Sequence, residues 1–210
     1  MTGTTAGTAT AADYGWLDEN YEHLLEAYCV TLVRDLTPEA LLTELKAEPE
    51  PGLTGVDALN EPCFDAWEYY EGDSMFVGVT AVGDWSLMVE FNGYLGITPE
   101  AMLPVSHGRR VVSHYRNINA VDHFYWFEDG DTRLHFEPLF PYARNGSHCD
   151  ELLTEMRESG FDLRDSEDRD YTQHTEAAFA LAHRLTGIRL TPELFASAEF
   201  TCGTAPVPRG

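Results

Sequence analysis

The sequence predicts an α+β fold: a single domain with a central antiparallel sheet whose strands lie within about residues 74–138. Two patterns indicate this class. Apolar, β-branched runs cluster in the middle of the chain, and helical segments cluster toward its two ends. A third observation is size, because 210 residues with 43% hydrophobic content suffice for one hydrophobic core. Helices from the N- and C-terminal thirds should therefore pack on the sheet.

Three similar segments predict helix starts. "LTPEALL" (36–42), "ITPEAML" (97–103) and "LTPELFA" (190–196) each combine an N-cap threonine, a proline at the first helical position and an early glutamate. "WLDENYEHLLEA" also has a helical pattern, and a helix is predicted over about 150–158 with Gly160 as its stop. In "YTQHTEAAFALAHRLTGIRL" one apolar helix face holds Ala178, Leu181, Ala182 and Leu185, and Gly187 ends the helix.

The strands and connections follow from composition. "YCVTLVRDL" is typical of a buried strand, and "SMFVGVTAVG" and "WSLMVEF" are predicted strands joined near Gly83-Asp84. "NGYLGI" contains Asn-Gly, a strong hairpin signal. "AEPEPGLTGVDALNEP" is rich in proline, glycine and glutamate and should be a surface connection. We expect a flexible tail over 1–12, the domain over 13–202 and a frayed C-terminus over 203–210.

Charge is the strongest global signal. The chain carries 36 acidic and 13 basic residues, a net charge of −23, and Lys46 is its only lysine. Residues 1–90 hold 18 acidic residues against Arg34 and Lys46, whereas residues 91–210 hold 18 against 11 arginines. Such a field repels phosphate backbones and anionic membranes, so direct nucleic-acid binding is disfavoured. It suits a basic protein partner, or mimicry of DNA.

Cysteine usage indicates the compartment. Cys29, Cys63, Cys149 and Cys202 are scattered, without the two-residue gap of zinc or redox motifs. "MTGTTAGTATAA" lacks the basic start and apolar block of a secretory signal, and no apolar run has transmembrane length. We therefore expect reduced thiols and a cytoplasmic protein that does not bind membranes.

The segment 113–138, "SHYRNINAVDHFYWFEDGDTRLHFEP", concentrates histidines, acidic turns and aromatic rings. A two-residue turn at Asp129-Gly130 would pair His135 with Phe124, and His123 with Phe136 on the opposite face. A two-residue turn at Ile118-Asn119 would place His114 opposite His123. A three-residue turn at Asp129 would instead bring His123 and His135 together, but it would mix polar and apolar residues on both faces.

In the favoured register one face is mostly apolar and should be the core. The other face carries the candidate binding residues Asp122, Trp126, Arg133, His135 and Glu137. Exposed aromatic residues beside arginine are typical of contact surfaces. The alternative is that a terminal helix covers this face and buries Trp126 and Phe124.

Recognisable catalytic and cofactor motifs are missing from the sequence. It contains no phosphate loop, no dinucleotide-binding glycine fingerprint, no "GxSxG" and no "HExxH". "DSEDRD" (165–170) lacks the central glycine and closing glutamate of a calcium loop. We expect no catalytic residues, no metal site and no cofactor.

The stretches "DWSLMVEFNGYLGITPEAM", "SHGRRVVSHYRNINA", "FEDGDTRLHFEP" and "GSHCDELLTEMRESGFDL" carry a family resemblance. Over about residues 20–202 the sequence resembles a family of uncharacterised actinobacterial proteins, of Streptomyces type, known as a domain of unknown function. The resemblance implies an actinobacterial source and supplies no site residues.

The sequence favours a non-enzymatic acidic protein that binds a basic protein partner, in the manner of small immunity or regulatory proteins. Tyr69 and Tyr70 are further surface candidates. One alternative is a small-molecule binder or enzyme that uses the polar sheet face, with Asp122, Arg133, His135 and Glu137 as acid–base groups. Another is a DNA mimic. The sequence does not indicate an oligomeric state.

Overall fold

The fold is that of a computed structural model, which describes residues 8–209. Residues 1–7 of the predicted tail lie outside the described residues. The rest of that prediction is wrong, because Ala9 and Ala11 are buried and a 3₁₀ helix begins at Ala11. The Thr10 amide donates to the Asp13 carboxylate at 2.8 Å, which caps this helix. Residues 9–14, called the N-terminal segment below, thus contribute to the core.

The α+β class and the single domain are confirmed by a nine-stranded antiparallel sheet of order β2-β9-β3-β4-β1-β5-β6-β7-β8. The strands are β1 Tyr28–Arg34, β2 Glu48–Thr54, β3 Ser74–Val82, β4 Trp85–Phe91, β5 Arg110–Arg116, β6 Asp122–Glu128, β7 Asp131–Phe136, β8 Arg144–Asn145 and β9 Glu199–Pro206. The predicted strand β1 lies at the centre, and six of its seven residues are buried. Its apolar, β-branched composition suits a strand that is covered on both faces.

Within residues 8–209, eight α-helices pack on the sheet. They are α1 Trp16–Asn20, α2 Glu22–Leu25, α3 Pro38–Glu44, α4 Asn60–Tyr70, α5 Pro99–Val105, α6 Leu153–Ser159, α7 His174–Thr186 and α8 Pro192–Ser197. The three Thr-Pro-Glu helix starts are confirmed, as α3, α5 and α8. Thr37 and Thr191 accept backbone amide bonds as caps, whereas the Thr98 hydroxyl donates to the Tyr94 carbonyl instead.

Three predictions about loops, turns and the C-terminal end are wrong. The predicted surface connection includes β2, which pairs with β9 at the sheet edge and is almost wholly exposed. Because an edge strand needs partners on one side only, its composition can resemble that of a loop. Asn92-Gly93 forms no hairpin; Asn92 has φ +50° and the chain runs on into a 3₁₀ helix at Leu95–Ile97. Residues 203–206, predicted to be frayed, belong to β9.

The two faces of the sheet are covered by different helices. One face, called the α7 face, packs against the N-terminal segment, α6 and α7; its core includes Tyr14, Tyr28, Phe124 and Phe179. The other, called the α5 face, packs against α3 and α5 through residues such as Leu41, Met102 and Phe127. The apolar face predicted for α7 is confirmed, because Ala178, Leu181 and Ala182 are buried and Leu185 is partly buried.

The turn at Asp129-Gly130 is confirmed as a two-residue hairpin, with φ of +55° and +73°. The predicted pairing beyond it is wrong, because a bulge at Arg133 shifts the register by one residue. His135 therefore pairs with Tyr125 rather than with Phe124. The bulge brings His123 and His135 to the same face, as the rejected three-residue turn would have done.

The predicted pairing of β5 with β6 is also wrong. Arg116 pairs with Asp122, so five residues (117–121) connect the strands and His114 pairs with Phe124. Asp122, Phe124 and Trp126 consequently lie on the α7 face. His123 and Tyr125 lie on the α5 face and are only partly buried, so the residues predicted to face outward are the more buried ones, although Phe127 belongs to the core as predicted.

Candidate functional site

The five predicted site residues do not form one site. Asp122 is fully buried beneath the start of α7, and Trp126 is buried with its indole nitrogen 2.8 Å from Glu128. Arg133 occupies the bulge, with Nη1 3.0 Å from His148 Nδ1. His135 lies on the α5 face. Burial and then the charge of Asp122 raise the pKa of the Glu137 carboxyl.

The helix-covered alternative describes Asp122, Phe124 and Trp126 correctly. All three pack under α6 and α7 or beside their ends, together with Leu134 and Phe136. Aromatic side chains in such a position contribute packing rather than contacts with a partner. At Asp122, Phe124 and Trp126 the sheet face on which a small-molecule site was predicted is therefore covered.

The histidines of β6 and β7 form a half-buried pair. His135 Nε2 lies 3.2 Å from His123 Nδ1, and the His135 ring stacks on Tyr125 with centroids 4.1 Å apart. Burial, followed by the neighbouring His123, lowers the pKa of His135. Within residues 8–209 no three His, Cys, Asp or Glu side chains stand close enough together to hold a metal ion. The two histidine rings and Tyr125 form a half-buried aromatic patch on the α5 face.

A buried polar cluster lies between the sheet and the first turn of α7. The Tyr28 hydroxyl is 3.0 Å from His114 Nδ1, and His174 Nε2 is 3.2 Å from Asp122 Oδ2 and 3.1 Å from Arg116 Nη1. Burial lowers the pKa of His114 to about 3, so its imidazole is neutral near pH 7. Tyr28 and His114 thus supply each other with the polar partner that a buried group requires.

His174 can satisfy two alternative arrangements. Its Nδ1 donates to the Tyr171 carbonyl at 2.8 Å, which leaves Nε2 to serve the other contacts. A neutral ring accepts a bond from Arg116 at Nε2, whereas a protonated ring donates from Nε2 to Asp122. Burial alone would lower the pKa of His174, but the Asp122 carboxylate and the Tyr171 carbonyl outweigh it and raise that pKa.

This cluster resembles acid–base machinery but has no room for a substrate. The cleft beside His174 measures only about 40 Å³, enough for a few water molecules. Both carboxylate oxygens of Asp122 lack a well-aligned hydrogen bond within the described residues. The contact of Asp122 with His174 and the hydrogen bond from Arg116 to the Thr175 hydroxyl hold α7 against β5 and β6.

A second buried acidic residue, Glu90, fixes the conformation of the stretch "VEFNGYLGI". Glu90 on β4 accepts the amides of Leu95 and Gly96, each at 3.0 Å. Burial raises the pKa of its carboxyl to about 7, against the opposing effect of these two bonds. A Cβ on Gly96 would lie 2.0 Å from the Thr31 hydroxyl, so only glycine fits. Glu90 thus anchors the segment that follows β4.

An open groove of about 740 Å³ runs between α4 and the border of the sheet formed by the edge strand β2 and its neighbour β9. The following side chains dominate its lining: Glu50, Glu61, Asp65, Glu68, Tyr69 and Tyr70. The groove floor includes Phe76 and Thr204, and Glu50 accepts a hydrogen bond from the Thr204 hydroxyl at 3.1 Å. Of the described residues that line this acidic groove, none is basic.

The helix α4 sets the geometry of this groove. Glu61, Asp65 and Glu68 recur at intervals of four and three residues, so their side chains line one helix face. Tyr69 is 80% exposed, Phe64 is 44% and Tyr70 is 39%, and the two tyrosine rings meet edge to face at 4.7 Å. Large exposed aromatic groups that cluster in this way mark interaction surfaces.

The sequence indicated Tyr69 and Tyr70 as surface candidates but not the acids around them. The 61–65–68 spacing was the available signal, because it predicts one charged face if the segment is helical. Glu50 could not be added without β2, whose pairing with β9 joins residues more than 150 positions apart.

One family matches the chain by comparison with known proteins. The sequence model described as "Family of unknown function (DUF6461)" matches residues 7–209. No match was found among curated proteins or among solved structures. Among the described residues, no helix combines the length and apolar character needed to cross a bilayer. Function therefore has to be inferred from the surface of the chain.

Proposed function

The chain belongs to DUF6461, a family of unknown function, and we propose that it binds an arginine- or lysine-rich segment of a protein partner in the acidic groove. One observation carries the proposal: four carboxylates and two tyrosines line a groove of about 740 Å³ that contains no basic residue among those described. The protein would act by binding, without catalysis, as immunity or regulatory proteins do.

The groove offers each part of a basic side chain a suitable contact. Glu61, Asp65 and Glu68 make no ion pair with a described residue, so they are free to accept charge-assisted bonds. Tyr69 and Tyr70 present ring faces that attract a guanidinium or ammonium group. Pro62 and Ala66 can pack against the methylene stems of such side chains.

Two of these acids, Asp65 and Glu68, are placed at a cost to the helix, whereas Glu61 stands in its first turn, where the dipole favours an anion. Glu61 and Asp65 are like charges four residues apart, which destabilise a helix by about 0.2–0.5 kcal/mol. Glu68 stands near the C-terminal end of α4, where the helix dipole disfavours an anion. Acids that reduce stability and remain unpaired in the folded chain are better explained by a partner than by folding.

We also propose a cytoplasmic location. All four cysteines are free, and three of them are buried. Unpaired thiols in the interior suit a reducing compartment. The partner would then be a cytoplasmic protein, and the segment that binds would expose arginine or lysine residues.

The test is a titration with nona-arginine, followed by fluorescence anisotropy at low salt. The variant Asp65→Asn/Glu68→Gln should weaken binding about tenfold, because it removes two charge contacts of the acidic groove. The matched control is Asp165→Asn/Glu167→Gln, which makes the same change of charge in the exposed loop after α6.

Equal losses in the two double variants would show that only the total charge attracts the probe, and the proposal would be wrong. A further variant, Tyr69→Ala, separates contact from charge. It should weaken binding several-fold without any change in net charge, because a cation–π contact is worth about 0.5–1 kcal/mol at exposed sites.

A further inference from the structure

Asp122 carries a fully buried carboxylate beneath the first turn of α7. Neither of its oxygen atoms has a well-aligned hydrogen bond within the described residues. Among those residues, the only side chain that forms an ion-pair contact with it is His174, whose Nε2 lies 3.2 Å from Oδ2. A buried carboxylate that loses its one partner is strongly disfavoured, so this contact decides whether the protein tolerates the charge of Asp122.

The groups around this pair do not replace His174 as the partner of Asp122. Burial lowers the pKa of His114 to about 3 and raises the pKa of Tyr28, so both side chains are neutral near pH 7. Arg116 Nη1 lies 3.1 Å from His174 Nε2 and 3.2 Å from the Thr175 hydroxyl, and it forms no ion pair with Asp122. The titratable and charged side chains that face the pair from the elements around it are Tyr28 on β1, His114 and Arg116 on β5, Glu137 after β7, Asp18 on α1, Glu176 on α7, and Asp162, Arg169, Asp170 and Tyr171 in the segment before α7.

His174 has a single nitrogen atom for two competing contacts. Its Nδ1 donates to the Tyr171 carbonyl at 2.8 Å, so Nε2 alone faces Asp122 and Arg116. With a proton on Nε2 the ring donates to Asp122 and cannot accept a bond from Arg116. Without that proton Nε2 accepts from Arg116 and offers nothing to Asp122. The proton therefore determines which of the two contacts exists.

The chain on either side of His174 is unequally anchored. From Ala177 onward α7 packs into the core, and Ala177, Ala178 and Phe179 are buried. Residues 161–173 form neither helix nor strand, and Arg169 ties them to the Leu139 carbonyl through Nη2 at 3.0 Å. The cleft of about 40 Å³ beside His174 gives water a position next to the pair. The first turn of α7 can therefore open while the rest of the helix stays packed.

We propose that the contact between His174 and Asp122 is a pH-sensitive switch that holds residues 170–176 closed over the sheet when the pair carries a proton and releases them when that proton is lost. Release lets water solvate the carboxylate of Asp122. The switch shares no residue with the lining of the acidic groove and does not depend on the proposed partner.

The direction of the switch follows from the surroundings of His174. Burial lowers its pKa, but the Asp122 carboxylate and the Tyr171 carbonyl outweigh burial, so this pKa lies above its ordinary value of 6.5. The closed state therefore binds the proton more tightly than the unfolded chain does. The stabilisation is complete below pH 6.5 and is lost as the pH rises through the raised pKa of the closed state.

The test is hydrogen exchange of the full chain, measured by mass spectrometry at about pH 6 and about pH 9 and corrected for the intrinsic rate at each pH. The amides of His174 and Ala177 bond the carbonyls of Tyr171 and Gln173, so a peptide over 171–178 reports on the first turn. Its protection should fall at least about tenfold from pH 6 to pH 9. Protection of β4 should change less than about threefold over the same range.

Two variants assign the effect to the pair. Asp122→Asn removes the buried charge, so protection over 171–178 should no longer fall with pH. His174→Gln cannot carry the proton and leaves Asp122 without its partner, so protection should be low at both pH values. The matched control is His23→Gln, which removes a half-exposed histidine paired with Asp57 and should retain the full decrease.

Protection over 171–178 that does not change with pH in the wild-type chain would overturn the proposal, as would an Asp122→Asn variant that retains the full decrease. An equal decrease in β4 would show a general loss of stability and would also contradict a local switch. Circular dichroism at both pH values establishes that each variant is folded. The wild-type profile and Asp122→Asn decide the question even where His174→Gln fails to fold.

Discussion

At the scale of single residues, buried polar groups dominate the chemistry of the interior. His114 is enclosed by Tyr28, Phe124 and Phe179, and its imidazole lies 3.0 Å from the Tyr28 hydroxyl. The unfolded chain would protonate this histidine near pH 6.5, but the folded chain does so only near pH 3. Between these values the unfolded state binds more protons, so stability falls as the pH falls.

His114→Gln should therefore change the pH dependence of stability. Between pH 7 and pH 4 the wild-type chain should lose about 3 kcal/mol more unfolding free energy than the variant, measured by urea denaturation. Tyr28→Phe is the control, because it removes the hydrogen bond without removing the titrating group. It should cost about 1 kcal/mol at every pH. A His114→Gln difference that is constant with pH would contradict the assignment.

At the scale of elements, local signals predicted the capped helix starts and the Asp129-Gly130 turn, but they failed at Asn92-Gly93 and at Ile118-Asn119. The Thr-Pro-Glu starts and the Asp-Gly hairpin depend on neighbouring residues alone, and the structure confirms them. The bulge at Arg133 could not be predicted, because no glycine marks it. The register is fixed instead by the burial of Leu134 and Phe136 beneath α6 and α7, and the positions of these helices depend on residues far along the chain.

The candidate sites show the same contrast between features that depend on neighbouring residues and features that depend on distant parts of the chain. Tyr69 and Tyr70 were accessible to prediction because they lie in a polar helix. The acidic groove was not, because one of its walls is an edge strand with the composition of a loop. For Asp122 and Trp126 the sequence left an open and a helix-covered face as alternatives, because the covering helices α6 and α7 come from a distant part of the chain.

The acidic face of α4 leads to a prediction about that helix. Asp65→Lys should raise the unfolding free energy by about 1 kcal/mol, because it replaces a repulsive pair with a Glu61–Lys pair and a better helix former. Thermal unfolding should show an increase of about 2–4 °C, while nona-arginine binding weakens. The matched variant Asp165→Lys lies in a loop and should change stability by less than about 0.5 kcal/mol. A decrease in stability with Asp65→Lys would mean that Asp65 supports the fold.

At the scale of the whole molecule, the net charge of −23 is distributed unevenly. The first 90 residues include α4 and β2 and hold 18 acids against two bases, so the acidic groove lies in the more negative part of the chain. Repulsion among these charges opposes folding. The electrostatic field that they create attracts cations over long distances. The same field should therefore act in opposite directions on stability and on binding.

Salt separates these two effects. Raising NaCl from 0.01 to 0.15 M shortens the screening distance from about 30 Å to about 8 Å. The melting temperature should rise because self-repulsion is screened, while the affinity for nona-arginine should fall. KCl at the same concentrations is the control for specific ion effects and should act equally. A melting temperature that falls with added NaCl would show that favourable ion pairs outweigh the repulsion.

The composition of β2 has a consequence for behaviour at high concentration. An exposed strand at a sheet border is normally a template on which further chains can assemble into fibrils. Here Pro49 and Pro51 supply no amide hydrogens, and the neighbouring Glu48 and Glu50 would repel the same segment of another copy. At the opposite border β8 has only two residues, too few to serve as such a template. Both borders of the sheet, as residues 8–209 form it, therefore resist extension by a further chain.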